Sequence, residues 1–152
     1  MKQVYDTTTK IKDQLQAEPF INTVTFGSLN DIDLDKQSIF PLAHLTINST
    51  SVATNIFRFN MSILVMDIVD ISKEETTDVF TGNDNEQDVL NTTLAVLTRV
   101  LNIMQKGDLY SQKYQIEDVV SCEPFVDRFE NKLAGWAATF DVVVQNDMTI
   151  CD

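Results

Sequence analysis

The sequence predicts an α+β fold: an antiparallel β-sheet with an N-terminal helix and one long helix packed on it, and a closing β-hairpin at the C-terminus. Three observations predict it. Apolar residues recur at helical spacing near the N-terminus and again between Val89 and Met104. Elsewhere the period falls to two, the mark of half-buried strands. The order is helix, several strands, long helix, two strands, and long helices lying on one face of an antiparallel sheet make an α+β domain.

The first helix follows from Val4, Thr8, Ile11 and Leu15, which are spaced to share a face. Pro19 disfavours helical geometry at Glu18, so the helix ends about there. "INTVTFG" then alternates, with Val24 and Phe26 on one side and Gly27 as a stop. "NDIDLDKQ" sets Ile32 and Leu34 against Asp31, Asp33 and Asp35, which suits an edge strand or an ordered loop. "PLAHLTINS" turns Ala43, Leu45 and Ile47 one way.

"TNIFRFNMSILVMDIVD" is the strongest strand. Phe57, Phe59, Met61, Ile63 and Val65 form one face, and the other is polar at Arg58, Asn60 and Ser62 before turning apolar at Leu64 and Met66. Such a strand is central, or covered at one end. "SKEETTDVFTGND" reads as an exposed loop.

The long helix opens at the N-cap candidates Asn83 and Asp84, with Glu86 and Gln87 placed as in a capping box. Leu90, Leu94, Leu97, Leu101 and Met104 form one stripe, and Val89, Val96, Val100 and Ile103 an adjacent one. That face is wide enough to lie on a sheet. Lys106 and Gly107 end it.

"YQIEDVVSCEPF" reads as one strand with Pro124 near its end, and "VDRFENKLAG" as a connection. "WAATFDVVVQN" closes the sheet with Trp136, Ala138, Phe140, Val142 and Val144 on its apolar face. Gly135 lets the backbone bend or bulge before Trp136. Gly135, Trp136, Phe140, Phe57 and Phe59 are therefore expected as structural core residues. The chain reads as a single domain over residues 1–152, with 147–152 an extension.

At 152 residues, 43% hydrophobic and with nine Phe, the chain can build a real core. Eleven Lys and Arg face 23 Asp and Glu, a formal net charge of −12. Gripping nucleic acid depends on cations displacing counterions from phosphates, so it is excluded as the main role. A negative wall that DNA slides past remains compatible. The N-terminal residues lack the apolar core of a signal peptide, and "NMSILVMDIVDI" is too short and too acidic to span a bilayer. Synthesis in a reducing cytosol is expected, and the Asn-x-Ser/Thr runs at Asn48, Asn60 and Asn91 are read as short polar stretches.

The residues offer little chemistry. A Cys–His pair would need Cys122 and His44, and nothing near Cys122 favours a thiolate. "DIDLD" opens like a calcium loop, but its sixth position is Lys36 rather than Gly and its twelfth is Leu42 rather than Glu. One His and two distant Cys do not make a zinc site. Glu74/Glu75 and Asp67/Asp70 are paired carboxylates without a visible pocket, and the four Gly are isolated. No catalytic residue, metal or cofactor is expected.

The stretch "NKLAGWAATFDVVVQND" resembles the last strand of the small neck and tail-completion proteins of tailed bacteriophages, including the tail-terminator family. The order of elements is also similar: N-terminal helix, β-meander, one long helix, closing hairpin. The resemblance implies a non-enzymatic structural protein of the virion. Such proteins form closed six-fold or twelve-fold rings between portal and tail, contact neighbouring neck, portal or tail proteins, and let DNA pass through the lumen. It implies no membrane contact. Ring contacts are heterologous, so loops and strand edges would supply them. The candidates are Asp31–Pro41 and Ser72–Asp84, with Asp31, Asp33, Asp35, Glu74, Glu75 and Asp78 as candidate contact residues. Two alternatives are a cytosolic adaptor dimerising through a sheet edge and a small hydrolase using Asp67, Asp70 or Cys122.

Overall fold

The computed structural model describes residues 3–28, 37–70, 78–80, 82, 84–107, 114–116, 119–128 and 132–146. The elements are α1 (Gln3–Gln16), β1 (Thr23–Phe26), β2 (Leu42–Val52), β3 (Ile56–Ile68), α2 (Glu86–Lys106), β4 (Gln115–Ile116), β5 (Ser121–Arg128) and β6 (Lys132–Gln145). A single 3-10 turn, Gln37–Ile39, precedes β2. The fold is α+β. The sheet runs β1-β2-β3-β6-β4, and β5 also pairs with β6. Asp31, Asp33, Asp35, Glu74, Glu75 and residues 147–152 lie outside the described residues.

The centre of the sheet follows directly from alternation. β3 pairs antiparallel with β6 in unbroken register from Ile56↔Gln145 to Ile68↔Leu133. One face of these strands presents Phe57, Phe59, Met61, Ile63 and Val65 beside Ala138, Phe140, Val142 and Val144, all buried in one cluster. Ile11 and Leu15 of α1 and Val96, Leu97, Val100, Leu101 and Met104 of α2 complete that cluster, so both helices cover the same face. Each large apolar side chain taken fully out of water there contributes ~1.5–3 kcal/mol. The other face is dry only at one end, where Phe40, Leu42, Met66 and Leu133 are buried with Leu64, Ile68 and Phe125 packed on them.

Several details differ from the sequence expectation. The sheet is not wholly antiparallel: β1 runs parallel to β2, from Thr23↔Leu42 to Phe26↔Leu45. Phe26 is 58% exposed, at the end of a strand on the margin of the described sheet. In α1 the buried stripe is Gln3, Thr7, Ile11 and Leu15, at strict four-residue steps, and Val4 faces outward. Thr8 turns back to its own helix, its hydroxyl donating to the Val4 carbonyl at 2.7 Å.

The N-cap of α2 is Asn85, not Asn83 or Asp84, and its side chain makes no cap hydrogen bond. It is engaged elsewhere: Asn85 Oδ1 accepts the Asp70 N–H at 2.7 Å, and the Asn85 N–H donates to the Asp70 carbonyl at 3.2 Å. Asp84 Oδ1 instead accepts the Glu86 N–H at 3.1 Å. The buried stripe of α2 includes Thr93 where the sequence suggested Leu94. The Thr93 hydroxyl is satisfied by the Val89 carbonyl at 2.7 Å, which makes its burial tolerable.

The single strand expected over "YQIEDVVSCEPF" is two. β4 pairs with Val142 and Val143, while β5 pairs with Lys132 to Thr139 along the same side of β6. Pro124 stands mid-strand and Val126 to Arg128 still pair, so the connection to β6 is shorter than expected. Pro is tolerated there because β5 is a margin strand. Gly135 makes no bulge. A Cβ on it would lie 2.0 Å from the Val65 carbonyl oxygen and 2.8 Å from Met66 Cα, so its role is to let β3 and β6 approach.

Candidate functional site

The residues considered for hydrolytic chemistry are separated by the sheet. Cys122 packs on the helix-covered face, opposite Ala138. His44 stands on the other face, where alternation places it between the inward-facing Ala43 and Leu45. Strands β3 and β6 lie between them. His44 is buried, and both ring nitrogens are engaged: Nδ1 with the Thr25 hydroxyl at 2.8 Å and Nε2 with the Gly27 carbonyl at 2.8 Å. The imidazole thus ties β1 to β2. Burial raises the Cys122 thiol pKa, which opposes thiolate formation.

Asp67 and Asp70 sit where β3 ends. Burial raises the Asp67 carboxyl pKa, a hydrogen bond from the Ile68 N–H at 2.8 Å works against the rise, and the nearby Asp70 charge adds to it. Asp70 serves structurally through its backbone, which exchanges hydrogen bonds with Asn85. Beside them Lys132 Nζ lies 3.1 Å from Asp84 and 3.7 Å from Glu86. Together these contacts fix the base of the β3–α2 connection. Among the described residues no group of three His, Cys, Asp or Glu converges to hold a metal ion.

The uncovered face carries a polar ladder across β2, β3 and β6. The register slips between Ile47 and Ser49, so Asn48 is the extra residue of a bulge. Its Nδ2 lies 3.0 Å from Asn60 Oδ1 and 2.9 Å from Ser62 Oγ. Asn60 Nδ2 donates to Asp141 at 2.9 Å, Ser62 and Thr139 share a hydrogen bond at 3.0 Å, and Arg58 lies 3.8 Å from Asp141. The ladder satisfies itself and stitches the strands together.

Among the surface features, a turn and a groove stand out. Asp78, the described member of the candidate contact residues, anchors a turn. Its Oδ1 accepts the Phe80 N–H at 2.9 Å, and its carbonyl accepts the Gly82 N–H at 2.8 Å, with Gly82 at φ +69°. That turn displays Val79 at 93% and Phe80 at 84% exposure. The second feature is an open groove of about 290 Å³ between α1 and β1, walled by Thr8, Thr9, Lys12, Val24, Thr25, Phe26 and Leu45. It falls at or below the roughly 300–1,000 Å³ of small-molecule sites and suits a side chain better than a substrate.

The sequence contains one signal for the turn, an apolar Val-Phe pair inside a run of Thr, Glu, Asp and Gly. The groove leaves no such mark, because it forms only when α1 lies beside β1. The sequence matches no known family model and no curated protein. Among the described residues no helix is long and apolar enough to cross a membrane.

Proposed function

We propose that this chain is a ring-forming structural subunit of a tailed-bacteriophage virion, of the neck or tail-terminator kind, joining head or portal to tail. The observation that carries the reading is the display of large apolar side chains at separate places on a sheet whose interior is already filled. Phe80 and Val79 project from the β3–α2 connection, and Phe26 from the β1 margin. A surface so arranged is suited to bind copies of itself head to tail.

The remaining properties agree with this role. His44, Asp70 and Lys132 are engaged in holding the fold rather than gathered in a cleft. A net charge of −12 suits a channel wall along which DNA moves without adhering. Neighbouring neck, portal or tail proteins would stack above and below.

Negative-stain imaging of the purified protein, alone and mixed with phage portal and tail proteins, tests the proposal. Annular particles with an open centre are expected. A protein that stays monomeric and is absent from purified virions overturns it.

A further inference from the structure

We infer that the open outer edge of β2, from Ser49 to Val52, pairs antiparallel with the same edge of a second copy, about a two-fold axis at Ser51. This contact is separate from the head-to-tail contact of a ring: it joins two copies, or two rings, face to like face.

The edge is open because β1 covers only part of β2. β1 pairs with Leu42 to Leu45, and the Gly27 N–H donates to the Leu45 carbonyl at 3.1 Å. Gly27, at a φ of +108°, bends the chain there. β2 runs on to Val52, and every residue from Asn48 to Asn55 is exposed.

The backbone fixes which groups face outward. The Ala53 N–H donates to the Ile56 carbonyl at 2.9 Å, so Ala53 and, by alternation, Ser51 and Ser49 turn their peptide groups to β3. The N–H and C=O groups of Thr50 and Val52 therefore point to the other side, where no described strand pairs with them. An extended strand is the partner that satisfies such a row.

Charge selects a second copy as that partner. Edges are ordinarily guarded by charged residues or Pro. β5 is guarded in this way by Glu123 and Pro124. From Ser49 to Asn55 there is neither a charged residue nor a Pro. From Gln37 to Met66 there is no Asp or Glu, although the chain holds 23 of them. Two copies of so acidic a chain meet here without opposing carboxylates.

The segment is also complementary to itself. With the axis at Ser51, Thr50 lies opposite the partner's Val52, and Val52 opposite the partner's Thr50. Each pair exchanges both backbone hydrogen bonds, so the outward groups of both residues are satisfied. Thr50 and Val52 share the face of Phe59 and Phe57, which places two β-branched side chains against each other across the seam. Val52, 70% exposed in the single chain, gains cover.

Disulfide trapping in the full chain tests this, with Cys122→Ser and Cys151→Ser removing the native thiols. Ser51→Cys is expected to cross-link to a dimer, because directly opposed residues that do not bond to each other stand about 4.5 Å apart at Cα, within reach of a disulfide. Thr50→Cys is expected to stay uncross-linked, because it meets Val52 rather than itself. Thr50→Pro, added to Ser51→Cys, removes an N–H that the single chain leaves to the open side. Its melting temperature should hold while cross-linking falls roughly tenfold or more. Val52→Lys, at a position already in water, brings two cations to the seam and should weaken it likewise, which keeps the test decisive if the Pro variant melts early. A Ser51→Cys protein that stays monomeric on oxidation, or cross-links no faster than Thr50→Cys, overturns the contact. So does cross-linking that neither Thr50→Pro nor Val52→Lys reduces. Annular particles without Ser51→Cys cross-linking overturn this contact and leave the ring reading standing. Cross-linked dimers without annular particles support this contact and overturn the ring reading.

Discussion

The indole N–H of Trp136 donates to the backbone carbonyl of Leu90 at 2.8 Å, joining β6 to the second turn of α2. The ring packs against the main cluster while its polar atom reaches the helix, so one side chain both fills space and fixes where α2 crosses the sheet. Trp136→Ala should cost about 3–5 kcal/mol in urea unfolding, and Trp136→Phe about 1 kcal/mol for the hydrogen bond beyond its smaller loss of packing. A change under about 0.5 kcal/mol for Trp136→Ala would show that the side chain is a surface group.

Gly135 and Gly82 should fail for different reasons. At Gly135 an added methyl meets the β3 backbone, which cannot yield without moving the central strand pair. Gly135→Ala is expected to cost about 3 kcal/mol or more. Gly82 has open space around it but a φ of +69°, so Gly82→Ala should cost only about 1–2 kcal/mol. Thermal melts of both variants check the order, and equal effects would contradict it.

Asp67 gives a pH dependence with a definite sign. Its folded pKa is raised, mainly by burial, above the unfolded value of roughly 3.9. The folded state therefore holds the proton more tightly. Its contribution to stability is full below the unfolded pKa and is lost as pH rises through the folded one. Asp67→Asn keeps an oxygen for the Ile68 N–H and removes the titration. The variant should match wild type near pH 3 and grow relatively more stable as pH rises towards neutrality. A stability difference that is flat with pH would contradict the assignment.

Cys122 should be a slow nucleophile. Its thiol pKa is raised by burial, so alkylation mapped to Cys122 at pH 7 should lag behind that of a free cysteine peptide and quicken as pH rises. Labelling as fast as the free peptide would revive a catalytic reading of this residue.

What the sequence made legible follows from where burial dictates the pattern. β3 and β6 are readable residue by residue because both lie inside the sheet and one face of each is sealed by helices. The pattern weakens at the margins. Phe26 alternates correctly yet ends in water, and nothing in "INTVTFG" distinguishes a parallel neighbour from an antiparallel one. Asn85 was hidden as the cap because its side chain serves Asp70, a partner 15 residues away. The bulge at Asn48 was hidden because an extra polar residue in a polar stretch leaves no break in periodicity. The surface was the least legible part. A groove between α1 and β1 is a product of packing, and no pattern in the sequence marks it.

Native mass spectrometry of the purified full chain tests the central claim most directly. The account predicts a single closed species of six or twelve copies of the 17.2 kDa chain, with no continuous ladder of sizes. A spectrum containing only the monomer, or only a symmetric dimer that Phe80→Asp leaves intact, would contradict it.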